Sequence, residues 1–449
     1  HHEIARLQQL SDKVDALWRE HVDALIRDRA ATEDPLLVWP AKDLGASATP
    51  RSLKEETRKK GLLNDDGDLA TPYRRLKLVM DYWCALWFWP IQGSSTLPMR
   101  EQWWMEIGAI LEGNIVDLAP QGGFDFSSAP EPQQLVPEIQ NDMFGAVQPV
   151  LTTAVAQPNL HDKYGQLRIK KLREHFPRIA TVEAIASTRR FMPWELTFAD
   201  VFSQRGGFDL VLGNPPWLKV EWNEAGILGE AKPLFAIRKS SATELTLERK
   251  QPFEESPRQQ AEWTSELEEA GAIQNFLNGV QNYPLLQGMK ANLYKCFMPL
   301  GWMLSGESGV TGYLHPEGPY EDPEGGALRQ EVYARLRAHF QFQNQNMLFP
   351  IGHRVKYSIN IYAAQQAVEF DQLANIFAVS TIDASYLHDG SGMSGGIKNA
   401  DNVWDISGHR DRIITITDKE LGVFAQLYDE AGTPPRRARL PALHAGMLG

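Results

Sequence analysis

Cysteine is scarce: two residues in 449, Cys84 and Cys296, far apart and each in a helical apolar context. That excludes a disulfide framework and a thiolate metal site, and no metal centre is expected. No run of about 18 uncharged apolar residues occurs, which excludes a membrane-spanning helix and a membrane partner. No signal-peptide pattern opens the chain, so a reduced cytoplasmic protein is predicted. Positive charge is also short, with 45 Lys and Arg against 57 Asp and Glu, a net charge of −12. Lys and Arg on phosphates supply most non-specific affinity for nucleic acid, so any such contact must come from a local patch. The candidates are Lys170-Lys171-Leu172-Arg173, Arg189-Arg190, the group His353, Arg354 and Lys356, and Arg436-Arg437-Ala438-Arg439. A solvated surface is the competing reading for each.

The rest of the composition, 43% hydrophobic and 23% charged, is that of a globular protein with room for two or three domains. Its most informative segment is Phe208-Asp-Leu-Val-Leu-Gly213 followed by Asn214-Pro215-Pro216-Trp217. A buried strand that stops at Gly and turns through two prolines presents an Asn side chain and fixed carbonyls at its C-terminal end. Open α/β sheets bind their ligands there. The Asn amide oxygen and the Pro215 carbonyl are both acceptors. Together they could hold the two hydrogens of an exocyclic amine and leave its lone pair aimed at an electrophile. Trp217 offers a face on which a planar base could stack. For Asn-Pro-Pro in isolation, a Pro-rich turn after a buried strand is the plain alternative.

The run Asp209–Trp217 resembles the catalytic motif of S-adenosylmethionine-dependent amino-DNA methyltransferases, specifically the gamma-class N6-adenine enzymes. Further motifs follow in the family's order. Asn292-Leu293-Tyr294 precedes a helix over 295–304, and a strand over Gly309–Leu314 ends at Pro316. A helix is predicted over Leu328–Phe340, with Leu328, Val332, Leu336 and Phe340 on one face. Met347-Leu348-Phe349-Pro350 is similar to the family's Phe-Pro turn, and a strand over Tyr357–Tyr362 comes next. The long methylases of type IIG restriction and phage-defence systems, DISARM and BREX among them, are similar in overall flavour. They share the segment Phe191–Phe202, here expected to be a buried aromatic edge strand.

The resemblance implies a site: Asn214, Pro215, Pro216 and Trp217 catalytic, Trp217 and Phe349 stacking on the target base, and Asp209, Asn292, Tyr294 and Pro316 supporting the pocket. Asp209 would buttress the turn, Tyr294 would line the pocket wall, and His353, Arg354 and Lys356 would contact the DNA backbone. Asp200 is the candidate cofactor contact. The implied cofactor is S-adenosylmethionine and the implied partner double-stranded DNA, with other defence-system subunits beside it, in a bacterial cytoplasm. The expected mechanism is base flipping followed by direct methyl transfer, catalysed by positioning.

One part of that pattern is missing. A fold of this kind holds its cofactor against a glycine-rich turn after the first strand. Gly122-Gly123 lacks a preceding apolar strand, and Gly206-Gly207 reads as the lead-in to the catalytic strand. With the chain opening at His1 directly in a helical pattern (Ile4, Leu7, Leu10, Val14, Leu17), a middle slice of a larger enzyme is expected, or a chain whose partner supplies the other half. The expected fold is α/β: the catalytic half of a Rossmann-like methyltransferase sheet, with a large N-terminal helical region and a C-terminal mixed segment. The expected organisation is a helical spacer over 1–120, connector and helix over 121–190, the catalytic half over 191–370 with a helical insertion at 221–285, and a C-terminal region, target recognition being one possibility, over 371–449. Two other functions stay open: methylation of RNA or of a protein amide, and a non-catalytic DNA-binding or regulatory role in a defence complex.

Overall fold

A computed structural model describes residues 2–34, 48–60, 67–114, 134–141, 147–154, 159–238, 240–290 and 292–446. The chain divides into two units, His1–Asp200 and Val201–Gly449.

The first unit is mainly helical: His2–Thr32, Arg51–Lys60, Pro72–Ala85, Arg100–Glu112, Ile169–His175 and Arg178–Arg189. Its core gathers Leu10, Leu17, Tyr73, Leu76, Tyr82, Ile107, Ile110, Leu172, Ile179 and Val182. Thr71 caps the aromatic-rich helix, its hydroxyl accepting from the Arg74 N–H at 3.3 Å, and Pro72 occupies the first turn, where a missing N–H costs nothing. Apolar residues ring most of that sequence, yet Met80 and Trp83 are exposed. The helix expected within 121–190 is two, separated at Phe176-Pro177, because proline removes a backbone donor and crowds the preceding turn. Of the expected connector, Gln134–Asn141 (β1) and Val147–Ala154 (β2) pair antiparallel. Gly122-Gly123 lies outside the described residues.

Residues 191–202 are not an edge strand. Trp194–Thr197 and Ala199–Arg205 are helical, with Trp194 stacked on Phe198 at 5.9 Å and Leu196 and Ala199 buried. These apolar positions recur at three and four, the helical spacing.

The second unit is built on a six-stranded mixed sheet: β3 (Phe208–Gly213), β4 (Ser305–Pro316), β5 (Leu336–Gln343), β6 (Lys356–Tyr362), β7 (Glu369–Ile376) and β8 (Ile414–Thr417). Its order is β3-β4-β6-β5-β7-β8. β3 and β4 run parallel, β6 is antiparallel to both β4 and β5, β5 and β7 are parallel, and β8 is antiparallel to β7. The crossover from β3 to β4 carries five helices within 224–278 and then Leu293–Leu304. A parallel pair joined by a helix is the βαβ unit of Rossmann-like folds, and the fold is α/β.

Two expectations about strands need correction. The helix beginning near Leu328 spans Gly326–Arg335, and Leu336–Gln343 is strand β5. Leu336, Ala338, Phe340 and Phe342 alternate with polar residues, and an i, i+4 spacing satisfies a period of two as well as a helix. β3 is an edge strand rather than a buried one: Leu210 and Leu212 are 62% and 77% exposed.

Gly206-Gly207 leads into β3. Gly207 has φ of +146°, and a Cβ there would lie 2.6 Å from both the Leu304 carbonyl oxygen and the Gly306 nitrogen. Glycine lets the backbone pass against the start of β4.

One sheet face is polar beneath its covering helices. Glu317, just past β4 and 4% exposed, accepts from Gln341 Nε2 at 2.8 Å and lies 3.2 Å from His339 Nε2. Burial pushes its carboxyl up, but His339, Ser358 and Gln341 outweigh that and hold it at about 2. His315 Nδ1 donates to the Pro316 carbonyl at 2.8 Å, so its Nε2 accepts from the Tyr362 hydroxyl at 2.9 Å. Burial lowers its pKa to about 4. Tyr320 donates to Asn360 Oδ1 at 2.6 Å.

These two groups set an acid limb. His315 is protonated in the unfolded chain below about 6.5 but not in the folded chain until about 4, so stability present above pH 6.5 is lost as pH falls towards 4. Glu317 adds a second loss between about 4.5 and 2. Each is worth at most about 3 kcal/mol. Urea unfolding at pH 7, 5.5 and 4.5 should show a falling midpoint, and His315→Gln should flatten the fall above pH 4.5. Gly207→Ala should destabilise by about 2 kcal/mol or more, through its backbone clash and its φ.

Candidate functional site

The turn after β3 is held from two sides and leaves its first residue free. Trp217 donates its indole N–H to the Leu314 carbonyl at 3.2 Å, which ties it to β4. The Leu218 carbonyl accepts from the Leu293 N–H at 3.0 Å, at the start of the helix Leu293–Leu304. Pro215 is buried, while Asn214 is exposed and its amide makes no hydrogen bond among the described residues. The Pro215 carbonyl likewise accepts no backbone hydrogen bond among the described residues.

Trp217 belongs to an aromatic cluster on the apolar sheet face. Its ring centroid is 4.9 Å from Phe349 at a 46° tilt and 5.8 Å from Tyr357; Phe349 and Tyr357 meet edge-on at 5.0 Å. The sequence therefore paired Trp217 with Phe349 in the right neighbourhood. Two rings that clasp a third stand about 7 Å apart, given contact distances near 3.5 Å, and these two touch each other. The Phe349 loop is pinned by Asn344, 1% exposed, whose Nδ2 donates to the carbonyls of Phe349 and Ile351 at 3.0 Å and whose Oδ1 accepts from the Phe349 N–H at 3.2 Å. Sequence reasoning missed Asn344. An Asn at a strand's end, before a Phe-Pro turn, was the available signal.

The other expected residues fall in different places. Asn292 precedes the helix Leu293–Leu304 without capping it, and its Oδ1 is buried with no partner. Tyr294 is buried and stacks on His315 at 5.6 Å; burial, with Glu317 nearby, raises its hydroxyl pKa. Pro316 ends β4. Asp209 is exposed and pairs with Arg205 instead of bracing the turn. Lys356 pairs with Glu321 at 3.4 Å, whereas His353 and Arg354 are exposed with no ion pair among the described residues. Arg436 and Arg439 are engaged by Asp418 and Asp429, each at 2.8 Å. Burial raises the thiol of Cys84 to about 11 and that of Cys296 to about 12, so neither is poised as a nucleophile.

The residues present offer little to an S-adenosylmethionine molecule. Asp200 pairs with Arg29 at 2.8 Å and keeps a buried Oδ1 without a partner, which suits an amine donor. Gly206-Gly207 forms no cradle, since the space at Gly207 is filled by the β4 backbone. The described residues do not by themselves hold the cofactor. Among the described residues no cluster suits a metal ion, and no helix is long and apolar enough to cross a membrane.

Residues 82–244 match the model of a protein family, the Eco57I restriction-modification methylase. The match includes the Asn-Pro-Pro-Trp turn and covers well under half of the chain. A comparison with curated proteins finds no match. Among solved structures, a modification subunit of a putative type I restriction enzyme from Vibrio vulnificus YJ016 is 9% identical, with 91% of this chain and 93% of that chain covered at a TM-score of 0.21. That score is too low to bear on fold or function. Over residues 82–244 the chain is similar to restriction-modification methylases.

Proposed function

We propose that this chain carries the amine-binding turn of an S-adenosylmethionine-dependent DNA methyltransferase that modifies the N6 of adenine, within a restriction or phage-defence system. The observation that carries the reading is Asn214: an exposed amide with no partner among the described residues, at the C-terminal end of a parallel strand, beside the carbonyl of a buried proline. Two acceptors fixed on one turn suit the two hydrogens of a primary aromatic amine. They withdraw proton density from the amine and orient its lone pair, which is catalysis by positioning. The similarity of residues 82–244 to restriction-modification methylases supports the same chemistry.

An adenine in a duplex reaches such a turn only after leaving the stack, at a cost of a few kcal/mol. Trp217 would supply the stacking face. Phe349 would have to withdraw from Trp217 to admit the ring between them, and its pinning by Asn344 makes that motion a displacement of the whole loop. His353 and Arg354, exposed a few residues further on, would meet the DNA backbone.

The full reading frame that contains this sequence should be expressed in a host whose DNA lacks N6-methyladenine, and the genomic nucleosides measured by mass spectrometry. N6-methyladenine is expected, and Asn214→Ala should lower it by at least about a hundredfold, the loss of one or two transition-state hydrogen bonds. N4-methylcytosine instead, no modified base, or modification indifferent to Asn214→Ala would overturn the reading. Phe349→Ala should leave folding intact and lower methylation more than tenfold, about 1.4 kcal/mol.

A further inference from the structure

The helical unit contains a pocket of about 470 Å³, and no residue of the Asn214 turn lines it. Its lining includes Arg74, Lys77, Arg173 and Arg190 against Asp81 and Glu183, four cations to two carboxylates. Lys77 is matched by Asp81 at 2.6 Å. Arg173 takes Glu183 in a two-pronged contact of 2.5 and 2.8 Å. Arg74 is thereby left short. It reaches Glu183 only at 3.9 Å, its residue is 8% exposed, and its Nη1 is buried with no acceptor among the described residues. Arg190 is exposed and forms no ion pair among the described residues.

A buried guanidinium N–H without an acceptor is costly, more so than a neutral donor. Together with Arg190 it makes a positive excess of two, which calls for a ligand with about two negative charges and several acceptor oxygens. A phosphate monoester matches on both counts, with a charge of about −1.5 to −2 and three terminal oxygens, and guanidinium pairs engage it through parallel N–H bonds. A carboxylate brings half that charge, and a phosphodiester has one fewer free oxygen. The volume exceeds a phosphate group, leaving room for what carries it, and Leu78, Ile169 and Phe191 give that part an apolar wall.

We propose that this pocket binds a phosphate monoester, with Arg74 and Arg190 as its principal donors. The group could be carried by a free nucleotide or by a 5′-phosphorylated DNA end.

Calorimetry on the full chain would use inorganic phosphate, adenosine monophosphate, and one short duplex oligonucleotide with and without 5′-phosphates. Saturable heat from inorganic phosphate is expected. Two variants should each weaken it about tenfold, or 1.4 kcal/mol. Ser187→Glu places a negative charge on the exposed rim. Arg190→Gly removes a donor where φ is +56°, a conformation glycine adopts more readily, so its melting temperature should hold or rise while binding falls. Asn214→Ala should bind phosphate as the parent does, which separates this site from the methyltransferase reading. Tighter binding of adenosine monophosphate than of phosphate would support the proposal and assign a free nucleotide. A preference for the 5′-phosphorylated duplex over its 5′-hydroxyl form would support it and assign a DNA end. No saturable phosphate heat, or heat unchanged in both variants with the fold intact, would overturn it.

Discussion

In the second unit a buried carboxylate, Glu317, sits where the sheet's two halves have to agree. Removing a charge from water costs several kcal/mol unless hydrogen bonds replace its hydration. Its partners come from two other strands: Gln341 and His339 on β5 and Ser358 on β6. They converge only when β6 lies between β4 and β5 in one register, with His315 opposite Ser358 and Ser358 opposite Gln341. A slip of one residue would turn every donor to the other face. The carboxylate therefore disfavours alternative pairings, and a half-satisfied network would be worse than an apolar one.

That register fixes the end of β4, and the end of β4 holds the candidate site. Leu314 supplies the carbonyl for Trp217, while His315 supplies the ring on which Tyr294 stacks. Tyr294 follows Leu293, whose N–H grips Leu218. Both anchors of the turn thus refer back to one strand, and the Asn214 amide ahead of them is unbonded among the described residues. A first residue free to bind, carried on a turn with no freedom of its own, is the arrangement that pays for orientation before a substrate arrives.

The sequence was most legible where chemistry is local. Phe208–Gly213, the helix after Asn292, the strand ending at Pro316 and the strand over 357–362 were all readable, because glycine and proline punctuate them and their apolar periods are clean. The turn at Asn214 was readable for the same reason. Leu336–Phe340 was not, since residues four apart fit a helix face and a strand face alike. Glu317, His339 and Gln341 passed unnoticed because they are scattered polar residues until the sheet gathers them. The exposure of Leu210 and Leu212 was equally hidden: an apolar strand reads as buried whether or not a neighbour covers it. Asp209 looked like a buttress by its nearness in sequence, yet its side chain alternates to the side of Arg205.

The shape of the Asn214 turn is imposed through the end of β4. Hydrogen exchange followed by mass spectrometry on the Glu317→Gln protein would test it most directly, comparing peptides that cover 213–222, 314–320 and 339–343 with the parent. Protection should fall in all three segments together, while the helix His2–Thr32 exchanges as before. Loss of protection at 314–320 and 339–343 with 213–222 unchanged would contradict the claim, because the turn would then hold its shape without the strand.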